Sequence, residues 1–451
     1  MPDRALSIVA IVGRPNVGKS TLFNRYAGHR RALVEDTPGL TRDRIAEEVE
    51  VGSRRLLLVD TAGLEPGARE ELAGAVQRQA QEALTGADAV LFVVDGREGP
   101  LPLDREIADT LRRSAKPVAL AVNKVDVPAH ADRVAAFYEL GLGTPQPVSA
   151  EHGGGAWDLL ERLAETLPVP GETGGEEADD ASLLRVALVG RPNVGKSSLL
   201  NQLVGSERVV VSEVPGTTRD AVDMRLDTED GSLVLVDTAG LRRAARRQRV
   251  GERGGALMTV RALERARVAL VVIDGAAGVT DQDAHIAALA LERGCACALL
   301  INKWDLVKGQ GSAEQLGQEI ERRLRFLPDP PILRVSAKTG QRVDRIPAVA
   351  RSLAGKGERR LSTSELNRWL REAVERHEPA MAQRGSRRRP LKFFYATQTG
   401  VSPPTFLLFC TDPLAIRPAY RRFLENRLRE RFDFAGTPIR LRLRARREAN
   451  G

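Results

Sequence analysis

Two kinds of segment alternate along most of the chain. Short, nearly unbroken runs of Val, Leu, Ile and Ala (IVAIVG, LLLVD, AVLFVVD and VALAVNK, then RVALVG, LVLVD, VALVVID and CALLINK) are separated by stretches with apolar residues at helical spacing. A strand that is apolar throughout is covered on both faces, so each set of four predicts an α/β domain with a mostly parallel sheet between two helical layers. After Ser352 the pattern changes. SELNRWLREAVERH predicts a helix with Ser364 as its N-cap, LKFFYATQ and TFLLFC predict strands, AIRPAYRRFLENRLRERF a basic helix, and TPIRLRLRAR a strand by its alternation. The order α-β-β-α-β predicts a small α+β third domain.

The two α/β segments are copies of one another. LSIVAIVGRPNVGKSTLFN near the start returns as LRVALVGRPNVGKSSLLN from Leu184, and the later motifs return in the same order: DTAGL at 60–64 and 237–241, NKVD at 123–126 and NKWD at 302–305, SAE at 149–151 and SAK at 336–338. Because the whole series recurs, a domain is duplicated and not a motif. Between the copies, PVPGETGGEEADDAS is rich in Gly, Pro and acid without apolar period, the composition of a flexible linker. The expected layout is a first domain at 5–169, an acidic linker at 170–183, a second domain at 184–354 and a basic domain at 355–446.

The 451 residues and 42% hydrophobic content suit about three cores. The net charge of +8 is unevenly placed, for residues 351–451 hold 23 Lys and Arg against 10 Asp and Glu, leaving the rest net acidic. Such an excess points to an anionic partner, most often nucleic acid, with a solubilising surface as the plainer alternative. Cys295, Cys297 and Cys410 are an odd count set in apolar runs and predict buried, reduced thiols. The N-terminus has no signal-peptide layout and no apolar stretch reaches the roughly 18 residues of a membrane span, so a cytoplasmic protein without membrane contact is expected.

The repeated motifs carry phosphate and base chemistry. Gly13, Arg14, Pro15, Asn16, Val17, Gly18, Lys19 and Ser20, and again Gly190, Arg191, Pro192, Asn193, Val194, Gly195, Lys196 and Ser197, fit the phosphate loop G-x-x-x-x-G-K-[ST] between a strand and a helix. Backbone N–H groups would surround the phosphates, Lys19 and Lys196 would neutralise them, and Ser20 and Ser197 would meet Mg²⁺. In DTAGL, Asp60 and Asp237 suit the Mg²⁺ carboxylate, Gly63 and Gly240 offer an N–H to the γ-phosphate, and Thr61, Ala62, Leu64, Thr238, Ala239 and Leu241 complete the turn. Upstream, TPGLTRD and VPGTTRD place Thr41 and Thr218 where a switch threonine would complete the Mg²⁺ shell; the alternative is a plain Pro-Gly surface turn.

NKxD selects the base. In Asn123, Lys124, Val125 and Asp126, and in Asn302, Lys303, Trp304 and Asp305, the aspartate accepts from the guanine N1–H and amino group, whereas adenine would leave it unpaired. The expected ligands are therefore GTP and GDP. Ser149 with Ala150, and Ser336 with Ala337, would add backbone N–H groups for the guanine O6. Leu64 and Leu241 stand where other switches have a water-orienting Gln, a role leucine cannot fill. Asn16 and Asn193 suit ligands of K⁺ beside the phosphates, or else turn formers after Pro15 and Pro192, and Arg42 and Arg219 are rival sources of positive charge.

With its two GRPNVGKS loops, acidic linker and terminal KFFYATQTGVSPPTFLLF…YRRFLENRLRERF…GTPIRLRLR, the chain resembles the double-Era-like GTPases called Der or EngA. The resemblance implies a KH-like third domain and a role in assembling the bacterial large ribosomal subunit, with rRNA as partner, on a chain expected to act as a monomer. The third domain departs from RNA-clamping KH modules in having no G-x-x-G loop. A second departure, RRAARRQRVGERGG after Leu241, makes that region basic and Gly-broken, either a switch ordered by the γ-phosphate or a solvated loop. Two other readings stand beside this one: a GTPase of tRNA modification or translation, and a binding scaffold with inactive sites.

Overall fold

The computed structural model describes residues 6–28, 46–60, 80–168, 183–205, 210–214, 223–238 and 256–445, apart from residues 82, 115, 127, 230, 308, 380, 381, 385 and 386. In the first repeat β1 (Ser7–Val12), α1 (Lys19–Gly28), β2 (Ala46–Val51), β3 (Arg54–Asp60), β4 (Ala89–Asp95), α2 (Pro102–Arg112), β5 (Val118–Asn123), β6 (Gln146–Pro147) and α3 (Ala156–Thr166) follow in order. The sheet runs β2-β3-β1-β4-β5-β6, parallel except for edge strand β2. Central β4 is buried at every position, as its unbroken AVLFVVD requires, while β2 at the edge mixes buried and wetter positions. Because β1, β3, β4 and β5 are parallel, their carboxyl ends lie along one edge, which brings Gly13, Asp60, Asp95 and Asn123 together.

The second repeat comprises β7 (Leu184–Val189), α4 (Lys196–Val204), β8 (Val210–Val214), β9 (Asp223–Thr228), β10 (Gly231–Leu235), α5 (Ala256–Arg265), β11 (Val268–Asp274), α6 (Asp281–Glu292), β12 (Ala296–Asn302), α7 (Gln310–Arg323), β13 (Ile332–Arg334) and α8 (Ile346–Glu358). Its sheet runs β13-β12-β11-β7-β10-β9-β8, with β9 antiparallel to both of its neighbours. Each repeat has its own apolar core, the first around Leu22, Tyr26 and Leu91, the second around Leu199, Leu270 and Leu300.

The C-terminal region adds α9 (Thr363–Arg376), a hairpin of β14 (Ala382–Arg384) and β15 (Arg387–Arg389), then β16 (Phe393–Gly400), β17 (Thr405–Cys410), α10 (Pro418–Phe432) and β18 (Arg440–Ala445). The expected α-β-β-α-β order holds, with the β14–β15 hairpin in addition. Strand β17 pairs antiparallel with β16 and parallel with β18, and Leu366, Leu370, Leu424 and Leu428 of the helices pack on Ala396, Phe406, Leu408 and Leu441 of one sheet face. The cap of α9 is not Ser364 but Ser362: its hydroxyl accepts from the Glu365 N–H, and the Glu365 carboxylate accepts from the Ser362 N–H. LSTSE has three hydroxyls in a row, and only Ser362 has a glutamate three residues on to close the capping box. All three cysteines are buried and free, and burial pushes the Cys297 thiol well above its ordinary value.

The chain divides into two compact units, Met1–Asp179 with Gly254–Glu264, and Asp180–Arg253 with Arg265–Gly451. Apart from α5, the second repeat and the C-terminal region thus share a unit. Within it the Cys297 N–H donates to the Gly436 carbonyl at 2.7 Å, and the Gly436 N–H donates to the Pro328 carbonyl.

Candidate functional site

Each phosphate loop is tied down from within. Lys19 Nζ donates to the carbonyls of Gly13 and Arg14 at 2.7 Å each, and Lys196 Nζ repeats this on Gly190 and Arg191 at 2.8 Å each. Gly18 and Gly195 are required for two reasons: their φ values are +98° and +95°, and a Cβ there would lie 2.2 or 2.3 Å from the amide nitrogen of Asn123 or Asn302. Val17 and Val194 are buried beneath the loops, and Pro15 is exposed. The side chain of Arg14 turns away onto buried Asp104 at 2.8 Å and onto Glu98 at 3.0 Å. Arg191 reaches the matching Asp283 at 3.2 Å. These arginines hold the loop against α2 or α6.

Burial pulls the Lys19 ammonium down to about 8, a shift that nearby Asp60 opposes and Arg14 reinforces. Asp60 ends β3 almost fully buried, and its Oδ2 accepts from the Ser20 hydroxyl at 2.7 Å. That hydroxyl and carboxylate form a hard-oxygen pair at the mouth of the loop, a donor set that fits Mg²⁺. Asp237, followed by buried Thr238, lies just beyond β10 with φ +56°, and its N–H donates to Asp223 Oδ1. Asp223, itself buried, is clamped by Arg265 at 2.5 Å. The first repeat has Ala46 and Gly86 at the corresponding positions, so this support for the second acidic turn is new to the structure. Thr41, Thr61, Ala62, Gly63, Leu64, Thr218, Ala239, Gly240 and Leu241, with Arg42 and Arg219, lie outside the described residues.

The NKxD asparagines join the two halves of each site. Asn123 Nδ2 donates to the Val17 carbonyl and its Oδ1 accepts from the Ala150 N–H, at 2.8 and 2.9 Å; Asn302 does the same with Val194 and Ala337, at 2.8 and 3.0 Å. The N–H groups of Ala150 and Ala337 thus donate to these asparagines. Lys124 and Lys303 hold positive φ and donate to Asp95 and Asp274 at 2.5 and 2.7 Å. Those two aspartates were not singled out from the sequence, although both begin an Asp-Gly pair at the end of an apolar run. Val125 and Trp304 anchor the motifs through N–H donation to the carbonyls of Val148 and Val335, and Arg334 stacks over the Trp304 ring at 4.9 Å. The NKxD carboxylates accept from serine hydroxyls: Asp126 from Ser149 at 2.7 Å and Asp305 from Ser336 at 2.6 Å. The Ser149 bond, then Arg97, holds the Asp126 carboxyl below its ordinary value.

Two phosphate loops, each with an aspartate at the end of a neighbouring strand and an NKxD segment, thus stand in one chain. The family model described as 50S ribosome-binding GTPase matches twice, at residues 8–124 and 185–303, and the model of the KH-like C-terminal domain of EngA bacterial GTPases matches residues 360–444. GTPase Der of Syntrophotalea carbinolica is 47% identical over 442 residues, covering 98% of this chain and 99% of the relative, and GTPase Der of Herpetosiphon aurantiacus is 46% identical over 448 residues, covering 98% and 97%.

The chain belongs to the Der family of GTPases. Its reaction is the hydrolysis of GTP to GDP and phosphate, and the fold is that expected: two tandem phosphate-loop GTPase domains followed by a KH-like α+β domain. Among solved structures, an Era variant of Aquifex aeolicus bound to GDP and aluminium fluoride aligns at 20% identity and a TM-score of 0.30, over 74% of this chain and 92% of that one. Asn16 and Asn193 sit at φ 64° and 63°, a left-handed conformation that asparagine tolerates. Among the described residues no helix is long and apolar enough to cross a membrane.

Proposed function

We propose that this GTPase is a nucleotide-controlled switch in assembly of the large ribosomal subunit, binding pre-ribosomal particles through rRNA. The observation that carries this reading is the end-to-end similarity to Der proteins, together with two matches to a model described as 50S ribosome-binding. The charge excess of residues 351–451 supports it. Arg442 and Arg444 are exposed on β18, in register with Leu407 and Phe409 of β17, and Phe409 stacks on Tyr395 of β16 with ring centroids 4.5 Å apart. Arginines beside an aromatic pair on an open sheet face suit an RNA backbone and its unpaired bases.

In this reading the domains run 5–169, 184–354 and 355–446, joined by the linker at 170–183, and the protein acts as a cytoplasmic monomer. Ser20, Thr41 and Asp60, and Ser197, Thr218 and Asp237, hold Mg²⁺, which neutralises charge developing on the phosphates. Lys19 and Lys196 hold the phosphates, and Gly63 and Gly240 bind the γ-phosphate by their N–H groups and so report its loss. Asn16 and Asn193 ligate K⁺ beside the phosphates. The test is sedimentation with ribosomal subunits in GTP and in GDP. Association with the large subunit or its precursor that differs between nucleotides is expected, and equal or absent association in both states would refute the switch.

A further inference from the structure

The two repeats differ at one residue beside the base-reading carboxylate. The loop after β4 reads Asp95, Gly96, Arg97, and the loop after β11 reads Asp274, Gly275, Ala276. Their backbones match, for the N–H of Arg97 donates to Asp95 Oδ1 at 2.9 Å and that of Ala276 to Asp274 Oδ1 at 3.0 Å. Only the side chain changes. Arg97 reaches across to Asp126 Oδ2 at 2.6 Å while Asp126 Oδ1 accepts from Ser149, so both oxygens of this carboxylate are engaged. At the second site Asp305 Oδ1 accepts from Ser336, and among the described residues no cation reaches the carboxylate.

Guanine reading by an aspartate uses both oxygens, one for N1–H and one for the amino group, whereas hypoxanthine offers N1–H alone. We propose that Arg97 is a specificity-determining residue of the first site: it competes with the guanine amino group for Asp126 Oδ2. The first site accordingly holds guanine nucleotides less tightly, and rejects inosine nucleotides less well, than the second. An inosine nucleotide leaves Arg97 in place and forfeits little, while a guanine nucleotide must displace it. The inference rests on Asp126 and Asp305 being the base readers. The Arg97 side chain is 56% exposed, so the pair is a weak one and the expected effects are about two- to fivefold.

The test measures equilibrium binding of GDP and IDP to the full chain, with the second site silenced by Lys196→Ala or the first by Lys19→Ala. Arg97→Ala should tighten GDP at the first site and widen its preference for GDP over IDP, each by about two- to fivefold. Ala276→Arg should do the reverse at the second site, and Arg97→Lys should stay near the unaltered chain. An unchanged GDP-to-IDP ratio in both Arg97→Ala and Ala276→Arg would overturn the proposal, as would weaker GDP binding in Arg97→Ala. Asp126→Asn separates the two levels of the argument. If it leaves the GDP preference intact, the base reading itself is wrong; if it abolishes the preference while Arg97→Ala moves nothing, only the role of Arg97 is lost.

Discussion

Lys19 shows how one side chain ties binding to pH. Its ammonium is charged in a nearly dry loop, and burial lowers it to about 8 from 10.5. The burial penalty is full below about pH 8, where the group is charged folded or unfolded, and fades as pH rises toward the ordinary lysine value, so this residue alone makes the fold more stable with rising pH across that window. Bound phosphates reverse the preference by favouring the charged form. Nucleotide binding at the first site should therefore take up a proton at about pH 8.5 and not at about pH 7, read as a buffer-dependent calorimetric heat in Lys196→Ala. Identical heats in buffers of different ionisation enthalpy at the higher pH would count against it. Asn193 carries a second prediction. An arginine finger supplies roughly 10³–10⁵ in rate, and a cation in that place would supply part of it. GTP turnover should be faster in K⁺ than in Na⁺ at equal ionic strength, with Asn193→Ala removing the difference at the second site. Equal rates in both salts, with a large loss in Arg219→Ala, would transfer the role to the arginine. The motif residues themselves were legible in the sequence because phosphate and base chemistry tolerate few residue types at set spacings. Asp95, Asp274 and Asp223 were not, since their partners Lys124, Lys303 and Arg265 lie 29 or 42 residues away and only folding brings them near.

At the scale of elements, buried strands announced themselves by unbroken apolar runs, and β4, β11 and β12 are buried along their whole length. The first helix of the C-terminal region was legible too, but its cap was misplaced by two residues, because adjacent hydroxyls compete and only the partner at N3 decides between them. The turn after α10 was silent in sequence although it carries a demanding contact. Gly436 has φ +72°, and a Cβ there would lie 2.6 Å from Leu353 and 2.9 Å from both the Cys297 carbonyl and Pro331. Gly436→Ala should lower stability by about 1–3 kcal/mol through left-handed strain and crowding, and should raise hydrogen exchange at the Cys297 N–H. An unchanged denaturation midpoint with full protection of that N–H would show that the turn is not a constraint.

Over the whole molecule, charge is partitioned between acidic and basic parts, and RNA association through the basic part should weaken steeply with salt as counterions are released. Arg442→Glu with Arg444→Glu should weaken association and lower the slope of log affinity against log salt by roughly one per lost phosphate contact. A double variant that keeps both the affinity and the slope of the unaltered chain would move the RNA surface elsewhere. Sequence by itself determined the duplicated α/β architecture, the choice of guanine and the basic third domain, because each rests on local periodicity, local composition or a motif of a few residues. Tertiary structure alone decided that Arg14 turns to Asp104, that the Ala150 N–H serves Asn123, that Arg97 stands on Asp126, and that Gly436 meets β12. Each is a contact between residues 27 to 139 apart along the chain, and such pairings are set by how buried strands and helices pack, which no short window of sequence contains.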